Sequence, residues 1–198
     1  DARGYQNLFR VYWQAELKNN EYDVPVCAEG TAPEQCIFVL TNEGVAKETF
    51  WSADPTGQIP WPKDGSGIQL IYAGGHCHVG CISLDLINLD TGATICHQEP
   101  SHGTKVAPGD NAMDEAGYAT SIPPCEWGDD PRDNLPPPVV IRPTDRVQII
   151  GRYNATRMRS RTDPSVDPRT SDIAHYGVMS MYQMRATFEK LPKTDVHV

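Results

Sequence analysis

The chain has 198 residues, 39% of them hydrophobic, with a formal net charge of −9 and a pI near 5.0. A chain of that length buries one sizeable core; its acidic balance sets nucleic acid aside as a partner, because phosphate binding draws on basic surface, and no stretch approaches the ~18 apolar residues of a membrane span. Seventeen prolines and sixteen glycines interrupt any helical apolar period, so the expected fold class is all-β.

The chain opens Asp1-Ala2-Arg3 without a methionine or an apolar leader, as a mature product of signal removal would. Phe9, Val11, Trp13, Ala15 and Leu17 alternate with Arg10, Tyr12, Gln14 and Glu16, which predicts an amphipathic strand at the very start. Cys27 and Cys36 bracket the loop AEGTAPEQ, and the IFVL after it is apolar and β-branched enough for another strand. From Trp51 to Gly67 the chain is rich in breakers, and IQLIYA, from Ile68 to Ala73, resumes the β pattern.

The most informative stretch follows, GGHCHVGCISLDLINLDTGATIC from Gly74 to Cys96. His76 and His78 alternate around Cys77, so on an extended backbone both imidazoles point to one face and the thiol to the other. ISLDLIN and ATIC, with Asp90-Thr91-Gly92 between them, predict a β-hairpin. A long loop rich in Gly, Pro, Asp and Asn leads to Cys125, and loops of this length are usually functional, stapled or both. EWGDDPRDNLPPP is irregular, VVIRPTDRVQIIGRY predicts one or two strands, and RSRTDPSVDPRTSD is a polar excursion. A long final strand is expected from His175 to about Glu189.

Six cysteines in a turn-rich chain fit three disulfides and an oxidising compartment; zinc is less favoured, because no paired CxxC spacing occurs. Asn154-Ala155-Thr156 is an N-glycosylation sequon. Together these features predict a secreted, extracellular glycoprotein.

Four segments, GGHCHVGCISLDLINLDTGATIC, EAGYATSIPPCEWG, RYNATRMRS and HYGVMSMYQM, occur in the order expected of the stress up-regulated Nod19-like proteins, and the chain resembles that family over roughly residues 60–188. The first 50 residues and the RTDPSVDPRTSD insertion lie outside the resemblance, which implies an extracellular β fold more than an activity. The HxH strand and the later His/Met strand are also similar in arrangement to the copper monooxygenases, such as peptidylglycine monooxygenase and dopamine beta-hydroxylase. That likeness implies copper as a cofactor. Cys96 and Cys125 bracket the long loop and best match the Nod19-like pattern, so they are expected to pair, with Cys27–Cys36 and Cys77–Cys81 following. Residues four apart on a straight strand lie ~13 Å apart, beyond disulfide reach, so the last pair requires a turn at Val79-Gly80.

His76 and His78 from one strand, joined by His175 and by Met179 or Met181 from the last, would offer imidazole and thioether donors, a set that suits copper and above all Cu(I). Residues 175, 179 and 181 share a strand face. The opposite parity, Tyr176, Val178, Tyr182, Met184, Ala186 and Phe188, is more apolar and the better core side, which turns the His/Met face to solvent or to a second sheet. The plainer account is that the histidines are packed or hydrogen-bonded and the methionines fill gaps.

His97 and His102 read as solvated loop residues. No GxSxG elbow, phosphate loop or HExxH is present. Asp85 alternates with Ser83 on the polar side of ISLDLIN, and Asp114-Glu115 lie in the long loop, where acidic pairs are usually solvated. Arg152, Arg157, Arg159 and Arg161 form a basic run that would meet an acidic glycan or stand at an exposed hairpin tip. Trp13, Trp51, Trp61 and Trp127 offer sugar-stacking surface or core.

The expected architecture is a disulfide-stapled antiparallel β-sandwich of jelly-roll type with roughly eight to ten strands. Residues 1–26 form an N-terminal strand segment open to a neighbouring subunit, and residues 27–198 a single domain. The expected function is an extracellular, non-catalytic assembly or binding module. In it, Phe9, Val11, Trp13, Ala15 and Leu17 add a strand to a neighbour's sheet edge, and repetition without closure gives self-association into a filament. The rival is a copper-binding oxidoreductase resembling peptidylglycine monooxygenase, with His76, His78 and Met179 or Met181 at the metal and His175 nearby.

Overall fold

The structure, a computed structural model, describes residues 7–11, 21–25, 27, 30–52, 59, 61–78, 80–103, 119–155 and 175–189. Along them the chain forms β1 (Asn7–Val11), β2 (Glu21–Pro25), a 3-10 turn (Pro33–Cys36), β3 (Ile37–Val45), the one-turn helix α1 (Ala46–Thr49) and β4 (Phe50–Ser52). There follow β5 (Ile68–Cys77), β6 (Cys81–Asn88), β7 (Ala93–Gln98), β8 (Ser101–His102), β9 (Ala119–Ser121), β10 (Cys125–Glu126), β11 (Val139–Ile141), β12 (Arg146–Asn154) and β13 (His175–Phe188).

The strands pair antiparallel in two main sheets. One runs β10-β5-β13-β1-β4, with β11 also on β5 and β2 on β13; the other runs β3-β12-β6-β7; β8 and β9 pair by themselves. The class is all-β and the arrangement sandwich-like. Alternation decides which faces meet. In β12, Val147, Ile149, Gly151 and Tyr153 turn inward, and in β13 Val178, Ser180, Tyr182, Met184 and Ala186 do the same. Fully burying a side chain such as Leu84, Leu86, Ile149 or Met184 contributes roughly 1.5–3 kcal/mol. Gly151 lets the sheets approach closely, because a Cβ there would collide with the Ser180 side chain.

The expected hairpin is β6–β7, with Asn88 opposite Ala93. Asn88 Oδ1 accepts the Asp90 and Thr91 N–H groups at 3.0 and 3.1 Å, which nucleates the turn. VVIRPTDRVQIIGRY divides between the sheets, since β11 pairs with β5 and β12 lies between β3 and β6. Pro143 enforces the break.

Three disulfides close Cys27–Cys36, Cys77–Cys81 and Cys96–Cys125. Each spans a crossing between the two main sheets. Cys27 follows β2 and Cys36 precedes β3; Cys77 ends β5 and Cys81 begins β6; Cys96 is in β7 and Cys125 in β10. The turn that Cys77–Cys81 requires is present: the Cys81 N–H donates to the His78 carbonyl at 3.1 Å, and Gly80 takes φ 83, a conformation open to glycine at little cost. The Cα atoms thereby come within 6.1 Å.

β1 lies between β13 and β4 of its own chain, with Val11 opposite both Tyr182 and Phe50. β2 also pairs with β13, with Val24 opposite Tyr176. Alternation shows that a strand has two faces; it does not show which edge the strand meets. Trp13, Ala15 and Leu17 lie outside the described residues.

Candidate metal centre

Where β5 ends, the chain turns from one sheet into the other, and His76, His78, Met179 and Met181 lie at that corner. Gly75 and Cys77 face inward, Gly75 against Leu84 and Gln98 and Cys77 buried in the core. His76, of opposite parity, is exposed on the outer face of the seven-stranded sheet. On β13, Val178, Ser180, Tyr182, Met184 and Ala186 face the core, so Met179 and Met181 are of the outer parity. Met181 stands directly opposite His76 in the β5–β13 ladder and is only 8% exposed. Met179, half-buried, lies one step past the last ladder pair, Cys77 and Ser180, on the side to which His78 continues.

The two imidazoles meet edge to face, with ring centroids 5.3 Å apart and planes at 90°. Two imidazoles bound to one tetrahedral ion through metal–nitrogen bonds of about 2 Å have centroids about 5 Å apart, so this separation fits a shared ion. Desolvation, followed by the neighbouring His78, lowers the His76 pKa from its usual value, which favours the neutral imidazole with its free lone pair. Among the described residues, no group of three or more His, Cys, Asp and Glu is placed to hold a metal. The thioether side chains nearest the pair in the ladder are those of Met181 and Met179. Two nitrogens with a thioether fit Cu(I) and are a poor set for a hard divalent ion.

His175 stands apart. It pairs with Pro25, four residues beyond Met179, so its backbone lies roughly 13 Å further along the strand. Parity gave it the right face, but strand rise carries it away from the corner.

Tyr153, which the sequence did not single out, organises the corner. It is fully buried in β12, and its hydroxyl accepts the His78 N–H at 3.4 Å and donates to the Met179 carbonyl. The neighbouring Asn154 N–H donates to the Gly80 carbonyl at 2.7 Å. Asn154, the sequon residue, is half-buried at the end of β12, and Thr156 lies outside the described residues.

A second polar group occupies the outer face of the four-stranded sheet. Asp85, 7% exposed, takes the Arg152 guanidinium on Oδ2 and His97 Nδ1 on Oδ1 at 2.5 Å. Arg152 also donates to Ser83 Oγ at 3.3 Å, and His97 Nε2 lies 3.3 Å from Glu99 Oε1. The Asp85 hydrogen bond raises the His97 pKa, so His97 is a partner of Asp85 and no solvated loop residue. The hairpin register signals this, since Asp85 and His97 are cross-strand neighbours. Because the Ser83 hydroxyl meets Arg152 and not His97, the group is an ion-pair network with no activated nucleophile.

His102 sits in β8, which pairs with β9. Trp127 is 7% exposed and lies in the core, and the partly buried Trp61 packs against that core and stacks on Phe50 with centroids 6.3 Å apart. Trp13, Asp114, Glu115, Arg157, Arg159 and Arg161 lie outside the described residues, and so does the side chain of Trp51. No helix among the described residues is long and apolar enough to cross a membrane. No protein-family model and no curated protein matches the chain.

Proposed function

We propose that the chain is an extracellular, disulfide-stapled β-sandwich module that binds copper in its reduced state at the β5–β6 corner, through His76, His78 and the thioether of Met181 or Met179. One observation carries the reading: two imidazoles at the spacing of co-ligands stand on an outer sheet face with methionine directly opposite. Bound there, copper supplies one-electron redox chemistry. The chain's own residues hold it open to solvent on one side and against a rigid corner on the other. The resemblance of the HxH and His/Met strands to copper monooxygenases points to the same metal. Three disulfides at the sheet crossings support an oxidising, extracellular setting.

The proposal is of binding, without a reaction. A two-copper monooxygenase needs a second three-histidine set, and the described residues offer no such group. Assembly through the N-terminal strand has less support, because β1 meets β13 and β4 of its own chain.

Copper content after dialysis tests the reading. One copper per chain is expected, lost in His76→Ala and in His78→Ala and kept in His102→Ala. Content near zero in the unmutated chain contradicts it.

A further inference from the structure

We infer that Tyr153 is a positioning residue of the corner site: its phenol fixes the spacing between the segment that carries His76 and His78 and the segment that carries Met179 and Met181. The inference rests on the metal reading above and names the residue that gives that site its geometry.

The β5–β13 ladder ends at the pair Cys77 and Ser180. From there β5 turns away toward the other sheet while β13 continues into its ladder with β2, where Met179 stands opposite Glu21, so the backbones of His78 and Met179 do not pair with each other just where the candidate donors stand. Tyr153 bridges that point from the opposite sheet. Its hydroxyl accepts the His78 N–H at 3.4 Å and donates to the Met179 carbonyl, which replaces the missing rung with a side chain. A hydroxyl suits the task because it is donor and acceptor at once. The ring is fully buried, so the oxygen has little freedom to follow if either strand moves. The turn beneath is held independently, by Asn154 N–H on the Gly80 carbonyl at 2.7 Å and by the Cys77–Cys81 bridge. What the phenol adds is control of the distance across the corner, from the histidine strand to the methionine strand. Coordination tolerates errors of about 0.2 Å in donor position, so the loss of this rung is felt at the metal.

Tyr153→Phe removes the oxygen and keeps the ring. The probe is Cu(I), with its dissociation constant read by competition against a chromophoric chelator in the full chain. Ile149→Val, a core-facing change on the same strand, is the stability control. Tyr153→Phe is expected to weaken Cu(I) binding about tenfold or more, the usual scale for residues that orient metal ligands, and Ile149→Val to leave it unchanged. Equal affinity in Tyr153→Phe and the unmutated chain overturns the inference while the metal reading stands. Equal weakening by both variants also overturns it, since the role is then merely structural. An unmutated chain that binds no Cu(I) overturns the metal reading and the inference together. If Tyr153→Phe fails to fold, amide exchange at His78 in the intact chain decides: slower exchange with Cu(I) bound supports the inference, and an unchanged rate overturns it.

Discussion

His97 Nδ1 stands 2.5 Å from Asp85 Oδ1 across the β6–β7 hairpin. The Asp85 hydrogen bond, with a smaller contribution from Glu99, outweighs desolvation and raises the His97 pKa. The folded chain therefore holds this proton to higher pH than the unfolded chain. Its stabilisation is complete below the unfolded pKa of about 6.5 and is lost as pH rises through the higher folded value. The His97 side chain is 51% exposed, so solvent screening limits the effect to about 0–1 kcal/mol. Denaturant midpoints measured from pH 6 to 8 should fall slightly more in the unmutated chain than in His97→Gln; identical slopes would show that the pair contributes nothing.

The sheets pack closely at Gly151. Gly151→Ala should cost about 1–3 kcal/mol, because the new methyl meets the Ser180 side chain. Adding Ser180→Ala should recover part of the loss. Non-additivity in a thermal-denaturation cycle checks this, and strict additivity would mean that the two positions do not touch.

The bridges differ in the chain they close. Cys96–Cys125 spans 29 residues and Cys77–Cys81 only 4, so chain entropy assigns them about 3–4 and about 2 kcal/mol respectively. Alanine pairs at Cys96 and Cys125 should lower stability more than alanine pairs at Cys77 and Cys81, while the second pair should disturb copper binding more, because it loosens the corner. Intact mass before and after reduction should differ by two hydrogens for each of the three bridges. Free thiols in the untreated protein would remove the stapled corner from the account.

β1 carries two ladders, so Val11→Pro deletes a backbone donor inside the sheet and is expected to cost about 3 kcal/mol. Deleting residues 1–11 should destabilise the whole domain. A truncated chain that stays folded but loses self-association would instead mean that a neighbour supplies the strand.

The all-β class was legible because Gly and Pro punctuate short alternating runs, and the β6–β7 hairpin because Asn88 and Asp90-Thr91-Gly92 bring their own turn chemistry. Parity was legible too: Cys77 is buried while His76 is exposed, as alternation requires. What alternation cannot carry is partnership. It gave His175 the right face without its distance from Met179, and it described the strand at Phe9 and Val11 without showing that β13 and β4 flank it. Tyr153 left no local signal, since its role depends on two backbones 75 and 26 residues away in sequence.

X-ray absorption at the copper edge of the Cu(I)-loaded chain tests the central claim most directly, because it counts donor types at the metal. The account predicts one sulfur and two imidazole nitrogens for each copper, with the sulfur lost in either Met181→Leu or Met179→Leu and the nitrogens kept. A spectrum without sulfur, or one that neither methionine substitution changes, would contradict a site built from His76, His78 and a methionine of β13.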